Sequence, residues 1–161
     1  MAKEKEAKTN AMRILDKQKV SYRVNTYECE KFIDGIHIAD KLGQPYEQSF
    51  KTLVAQGKSK AYYVFVLPVD KEIDFKKASK VVGEKSISLI PVKDIQGLTG
   101  YIRGGCTSIG MKKAFPTYIQ ESAQNQETII ISGGKLGLQL ELSPKDLVRV
   151  VKGEFSDFII S

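Results

Sequence analysis

The sequence predicts a mixed α/β domain built on a curved, largely antiparallel sheet. Three observations predict it. Short runs rich in β-branched and aromatic residues follow one another along the chain, the strongest being "AYYVFVLP". Helical segments interrupt these runs without the strict alternation of a doubly wound parallel sheet. No internal repeat, low-complexity linker or composition break divides the 161 residues, so one domain over 1–161 is expected.

Each element has a local reason. Met1 to Lys8 form a charged lead-in, and Thr9 or Asn10 can cap a helix running through Lys19 with Met12 and Leu15 on its apolar side. Alternation in "SYRVNTY" predicts a strand, and "DGIHIADKLG" a short helix stopped by Gly43. "SFKTLVAQG" reads as a strand and turn, and Pro68 closes the strand "AYYVFVLP". Asp74 opens a helix in which Phe75, Ala78 and Val82 fall at helical spacing before Gly83. "SISLIP" is a strand, "TGYIRGG" a strand running into a glycine turn, and "TIIIS" and "LQLEL" pair around "GGKLG". The last helix, in "SPKDLVRVVKG", takes Ser143 as cap, Pro144 at its first position and Gly153 beyond its end.

Composition narrows the function classes. Hydrophobic residues at 42% and charged residues at 27% suit a folded soluble chain rather than a disordered one. No apolar run approaches the roughly 20 residues that span a bilayer, and the charged N-terminus lacks a secretory core, so a cytoplasmic protein with no membrane partner is expected. Two cysteines, Cys29 and Cys106, form neither a CxxC pair nor a disulfide framework. The net charge of +6 favours a polyanionic partner, with lysines clustered at 58 and 60, at 76, 77 and 80, and at 112 and 113. Any one cluster reads equally as a solvated face.

Most catalytic machineries are hard to assemble from these residues. His37 is the single histidine, set between Ile36 and Ile38, so no site with two imidazoles can form and no metal is expected. Its neighbours carry no nucleophile elbow or triad signature, and a structural or surface role is expected. "GKS" at Gly57 to Ser59 matches the end of a P-loop, but Thr52 stands where the motif needs its first glycine. "GGKLG" precedes a strand rather than a helix, which argues against a dinucleotide site, and no cofactor is expected.

Lys51 is the residue that does not fit its surroundings. With a period of two, Phe50, Thr52 and Val54 share one face of its strand and Lys51, Leu53 and Ala55 the other. A strand apolar on both faces is covered on both. The ammonium must then snorkel to an edge, pair with a carboxylate, or line a polar cavity. Gly104 and Gly105 offer backbone N–H groups that a ligand could approach closely, or they serve only a turn. Ser132 either places a hydroxyl at the mouth of another strand or starts the turn that follows.

"FKTLVA", "TGYIRGG…IGMKK" and "ISGGKLGLQLEL", in this order and spacing, resemble the YbaK/EbsC family of freestanding aminoacyl-tRNA editing proteins, over nearly the whole chain. The resemblance implies a relative of the editing domain of prolyl-tRNA synthetases, with a mixed sheet in a barrel-like form and surrounding helices. It also implies a deacylase that removes cysteine from Cys-tRNA(Pro), and from Cys-tRNA(Cys), without metal or protein nucleophile, the substrate thiol attacking the ester. The implied catalytic residues are Lys51 and Gly104, with Tyr27, Thr52, Gly105 and Ser132 binding substrate. The implied partners are the acceptor end of aminoacyl-tRNA and prolyl-tRNA synthetase. An Ala-tRNA(Pro) deacylase and a non-catalytic tRNA- or synthetase-binding module stand as alternatives. Four residues depart from the family pattern. Thr107 and Ser108 replace a Ser–Pro step, leaving a loop expected to be less rigid, Gln139 replaces an acid, and Asp34 replaces an aromatic residue.

Overall fold

The computed structural model describes residues 8–161, so all but the last residue of the charged lead-in lies outside the described residues. Helix α1 (Asn10–Lys17) starts where the Thr9 hydroxyl accepts the Met12 N–H at 3.3 Å, and it buries Ala11 and Leu15. It ends two residues before the expected Lys19, because Lys19 adopts φ 59° and turns the chain. Strand β1 (Arg23–Thr26) leads to α2 (Gly35–Leu42), which Asp34 caps and a left-handed Gly43 ends.

The long hairpin of β2 (Phe50–Gly57) and β3 (Tyr62–Pro68) is the centre of the molecule, with Lys51 opposite Leu67 and Thr52 opposite Val66. Helix α3 (Phe75–Val82) and β4 (Ile87–Leu89) follow, and β4 pairs with the distal end of β2 from Ala55 onward. A single 3₁₀ turn at Val92–Asp94 leads into the short helix α4 (Ile95–Thr99). Strand β5 (Thr117–Gln120) is followed by β6 (Ile129–Ser132), β7 (Leu138–Leu142), α5 (Pro144–Val151) and β8 (Glu154–Ser156).

The strands form two sheets. One is wholly antiparallel in the order β1-β7-β6, and the other runs β4-β2-β3-β5-β8, with β5 and β8 added in parallel. Ser49 joins them at one corner through a parallel bridge to Ile130, whose N–H reaches the Gln48 carbonyl at 2.9 Å. The result is a curled, mixed, largely antiparallel sheet that does not close, with helices around it.

Two cores explain why β2 and β3 are apolar on both faces. On one face Val54, Val64 and Val66 meet Ile129, Ile131 and Leu140 of the other sheet, with Leu15 of α1 and Leu147 of α5. On the other, Ala55, Phe65 and Leu67 meet Ala78 of α3 and Phe158, whose ring centroid lies 4.8 Å from that of Phe65. Each buried Val, Leu, Ile or Phe side chain among them contributes about 1.5–3 kcal/mol relative to exposure.

The expected strand at "TGYIRGG" does not form. Its first two residues end α4 instead, where Gly100 adopts φ 87° and the Tyr101 N–H turns back to Thr99 Oγ1 at 3.0 Å. The Gly105 N–H then closes a turn on the Ile102 carbonyl at 2.9 Å, with Gly104 also at φ 87°. Two left-handed residues four positions apart leave no extended run to pair.

Candidate active site

The cleft forms where β2 loses its neighbour. On the edge away from β3, β2 is bridged to β6 at Ser49 and joined by β4 from Ala55, and between these points no described strand covers Lys51 to Leu53. A cleft of about 340 Å³ opens in this gap. Lys51 and Thr52 line it from β2, Ser132 from the end of β6, Gly104 from the glycine turn and Tyr27 from the residue after β1. Five of the six expected site residues therefore meet in one cavity. Gly105 is not among its lining residues: its N–H is used in the turn, and a Cβ there would come within 2.8 Å of the Lys135 backbone.

Lys51 is half-buried, and its Nζ donates to the Val69 carbonyl at 3.2 Å. Burial draws its ammonium below the ordinary lysine value, while the charges of Glu72, Asp70 and Asp34 oppose that shift. The contact to Val69 ties the cleft to α2. A Cβ on Gly35 would lie 2.5 Å from Val69 Cγ1, so only glycine lets the first turn of α2 settle against the residue that holds Lys51. Asp34 stands one position earlier and lines the same cleft. Its Oδ1 accepts the His37 N–H at 2.9 Å and faces the His37 Nδ1 at 2.7 Å; these two contacts hold the carboxyl below the usual range.

Gly104 is required twice over. Its φ of 87° disfavours any side chain, and a Cβ would meet Leu136 Cδ2 at 2.7 Å and the Phe32 ring at 3.0 Å. The Arg103 guanidinium lies 3.9 Å from the centroid of that ring, so Phe32 packs against both Arg103 and Gly104 of the glycine turn. Ser132 lines the cleft and serves the turn as well, its Oγ accepting the Gly134 N–H at 3.4 Å. Burial raises the Tyr27 phenol.

The departing positions are built into this frame. Gln139, 8% exposed, exchanges amide hydrogen bonds with Gln44 at 2.8 and 3.2 Å, giving the cleft a neutral polar wall where an acid was expected from the family pattern. Thr107 and Ser108 are both buried. Cys106 also lines the cleft, and burial pushes its thiol up to about 11. His37 is an exposed partner of Asp34 and does not line the cleft.

Sequence reasoning missed Arg103, Phe32 and Gln44. Arg103 lies inside a segment singled out for its glycines, and the pairing of that residue with Phe32 across some 70 positions has no local signature. Gln44 meets Gln139 from 95 residues away.

The fold and the residues of this cleft define an aminoacyl-tRNA editing domain, and the chain belongs to that family, whose pattern matches residues 36–150. It is 42% identical over 159 residues to "Putative Cys-tRNA(Pro)/Cys-tRNA(Cys) deacylase EbsC" of Enterococcus faecalis (strain ATCC 700802 / V583), covering 98% of this chain and 97% of that protein. The fold is shared with the crystal structure of hypothetical protein APE2540, at a TM-score of 0.86 and 19% identity over 94% of this chain and all of that one. It is also shared with "a putative trans-editing enzyme for prolyl tRNA synthetase", at a TM-score of 0.81 and 20% identity over 97% of this chain and all of that one. The resemblance to the YbaK/EbsC family thus holds across the full chain.

Proposed function

We propose that this protein is a freestanding aminoacyl-tRNA deacylase that clears cysteine from Cys-tRNA(Pro), with Cys-tRNA(Cys) as a second substrate. The observation that carries this reading is the near full-length identity to a relative bearing that name. The chemistry of the cleft supports it. A protein nucleophile is poorly served, because a Cys106 thiol at about 11 is ionised to roughly one part in 10⁴ at neutral pH and the one histidine lies outside the cavity.

The substrate brings its own nucleophile. Its cysteine sulfur attacks the ester carbonyl carbon, and the bond from that carbon to the ribose oxygen breaks. The thiol proton passes to the ribose oxygen directly or through water. The products are a cyclic thiolactone and the deacylated tRNA. The protein contributes position and charge: Lys51 holds phosphate or ribose oxygens of the terminal adenosine, and the Gly104 N–H orients the carbonyl. Thr52, Ser132 and Tyr27 shape the binding surface around them. Recruitment through prolyl-tRNA synthetase in the cytoplasm would supply tRNA selectivity that a cleft reading only the acceptor end lacks.

The test is loss of charge from Cys-, Ala- and Pro-tRNA(Pro) incubated with the purified protein and with Lys51→Ala. Cysteine should be released fastest, and Lys51→Ala should be at least tenfold slower, about 1.4 kcal/mol of barrier. Preferential release of alanine would reassign the amino acid. Failure on all three would leave a binding module.

A further inference from the structure

Besides Lys51, the charged side chains lining the cleft are Arg103 and Asp34, so Asp34 is its only carboxylate among the described residues. Both contacts from His37 fall on Oδ1, and the Asp34 side chain is 53% exposed, so the carboxylate remains open to an incoming donor. Asp34 is also fixed relative to Lys51. The next residue, Gly35, packs on Val69 at a distance that excludes a Cβ, and the Val69 carbonyl accepts the Lys51 ammonium at 3.2 Å. The cavity therefore holds an anion and a cation across one rigid contact. An aminoacyl ester presents the complementary pair, an α-ammonium one carbon away from the ester carbonyl that leads on to ribose and phosphate oxygens.

We infer that Asp34 receives the α-ammonium of the substrate and makes the cleft selective for aminoacyl ends with a free amine over N-acylated ones. This rests on the proposed binding of an aminoacyl end, and it adds a determinant of which ends are accepted. An N-acylated end, such as that of a peptidyl-tRNA, offers no cation and places a neutral acyl group against the carboxylate, which desolvates Asp34 without a partner.

The probes are two non-cleavable adenosines carrying 3′-amide-linked S-methylcysteine, one with its amine free and one N-acetylated. Binding is measured by calorimetry at about pH 7, below the ordinary α-amino range of about 7.7–8.0. The intact protein should bind the free amine at least tenfold more tightly. Asp34→Asn keeps a good helix cap while removing the charge. It should bind the acetylated probe at least as tightly as the intact protein does and lose the preference. An intact protein with no preference, or a variant that keeps it, overturns the inference. Clearance of Cys-tRNA(Pro), followed in parallel, separates the two readings. Clearance without amine preference removes only the role of Asp34. Preference without clearance removes only the deacylase.

Discussion

Lys51 carries a cost that its replacement should reveal. Its folded-state value lies below the ordinary 10.5, so between the two the unfolded chain holds more protons and stability rises with pH across that window. Below that window the burial penalty on the ammonium stands in full. Lys51→Met should therefore melt at or above the temperature of the intact protein while clearing Cys-tRNA(Pro) at least tenfold more slowly; a clear fall in melting temperature would mean that the bond to Val69 is worth more than the desolvation it requires. Gly104→Ala should behave oppositely, losing about 1–2 kcal/mol, or about 3–6 °C in thermal melting, from its left-handed backbone and the crowding by Leu136 and Phe32. Lys51 was legible in the sequence because a charge in an apolar strand violates a local pattern. Arg103 and Gln44 violate none, since each is ordinary on a surface loop and acquires meaning only from Phe32 and Gln139.

At the scale of elements, the close seat of α2 is what brings Asp34 into the cleft that Lys51 lines. Gly35→Ala should push the first turn of α2 off Val69, costing about 1–3 kcal/mol by overpacking. Adding Val69→Ala should recover part of that loss, and a double-mutant cycle showing no coupling would remove the contact from the account. Helices with a cap at one end and a glycine at the other, such as α2 and α3, could be read directly from residues such as Asp34, Gly43, Asp74 and Gly83. The glycine turn could not. "TGYIRGG" alternates like a strand, and only Gly100 and Gly104, both left-handed in the fold, mark it as irregular. Strands β5 and β8 and helix α4 were also not anticipated, since they lack the β-branched runs, such as "SISLIP" and "TIIIS", that mark the equally short β4 and β6. The two strands owe their pairing to partners far away in sequence, with β5 lying beside β3 and β8 beside β5.

Across the whole molecule, the surplus of lysine should act through phosphate contacts. Affinity for tRNA is expected to fall steadily as salt is raised from about 50 to 200 mM, and a flat response would remove those contacts. Not every clustered lysine is available. Lys77 donates to the Ile159 carbonyl at 2.9 Å, Ser161 Oγ at 3.1 Å and Asp157 at 3.2 Å, so it anchors the end of the described chain. Alanine at Lys76 and Lys80 should weaken binding without lowering stability, whereas Lys77→Ala should lower stability. That anchoring bears on biosynthesis. Phe158 fills the core beneath Phe65, and β8 completes the sheet beside β5. The hairpin at the centre of the molecule emerges from the ribosome about ninety residues before the side chain that covers one of its faces. Until Phe158 clears the exit tunnel, that apolar face is exposed to other nascent chains. A chain cut short before Phe158 should therefore be prone to aggregate.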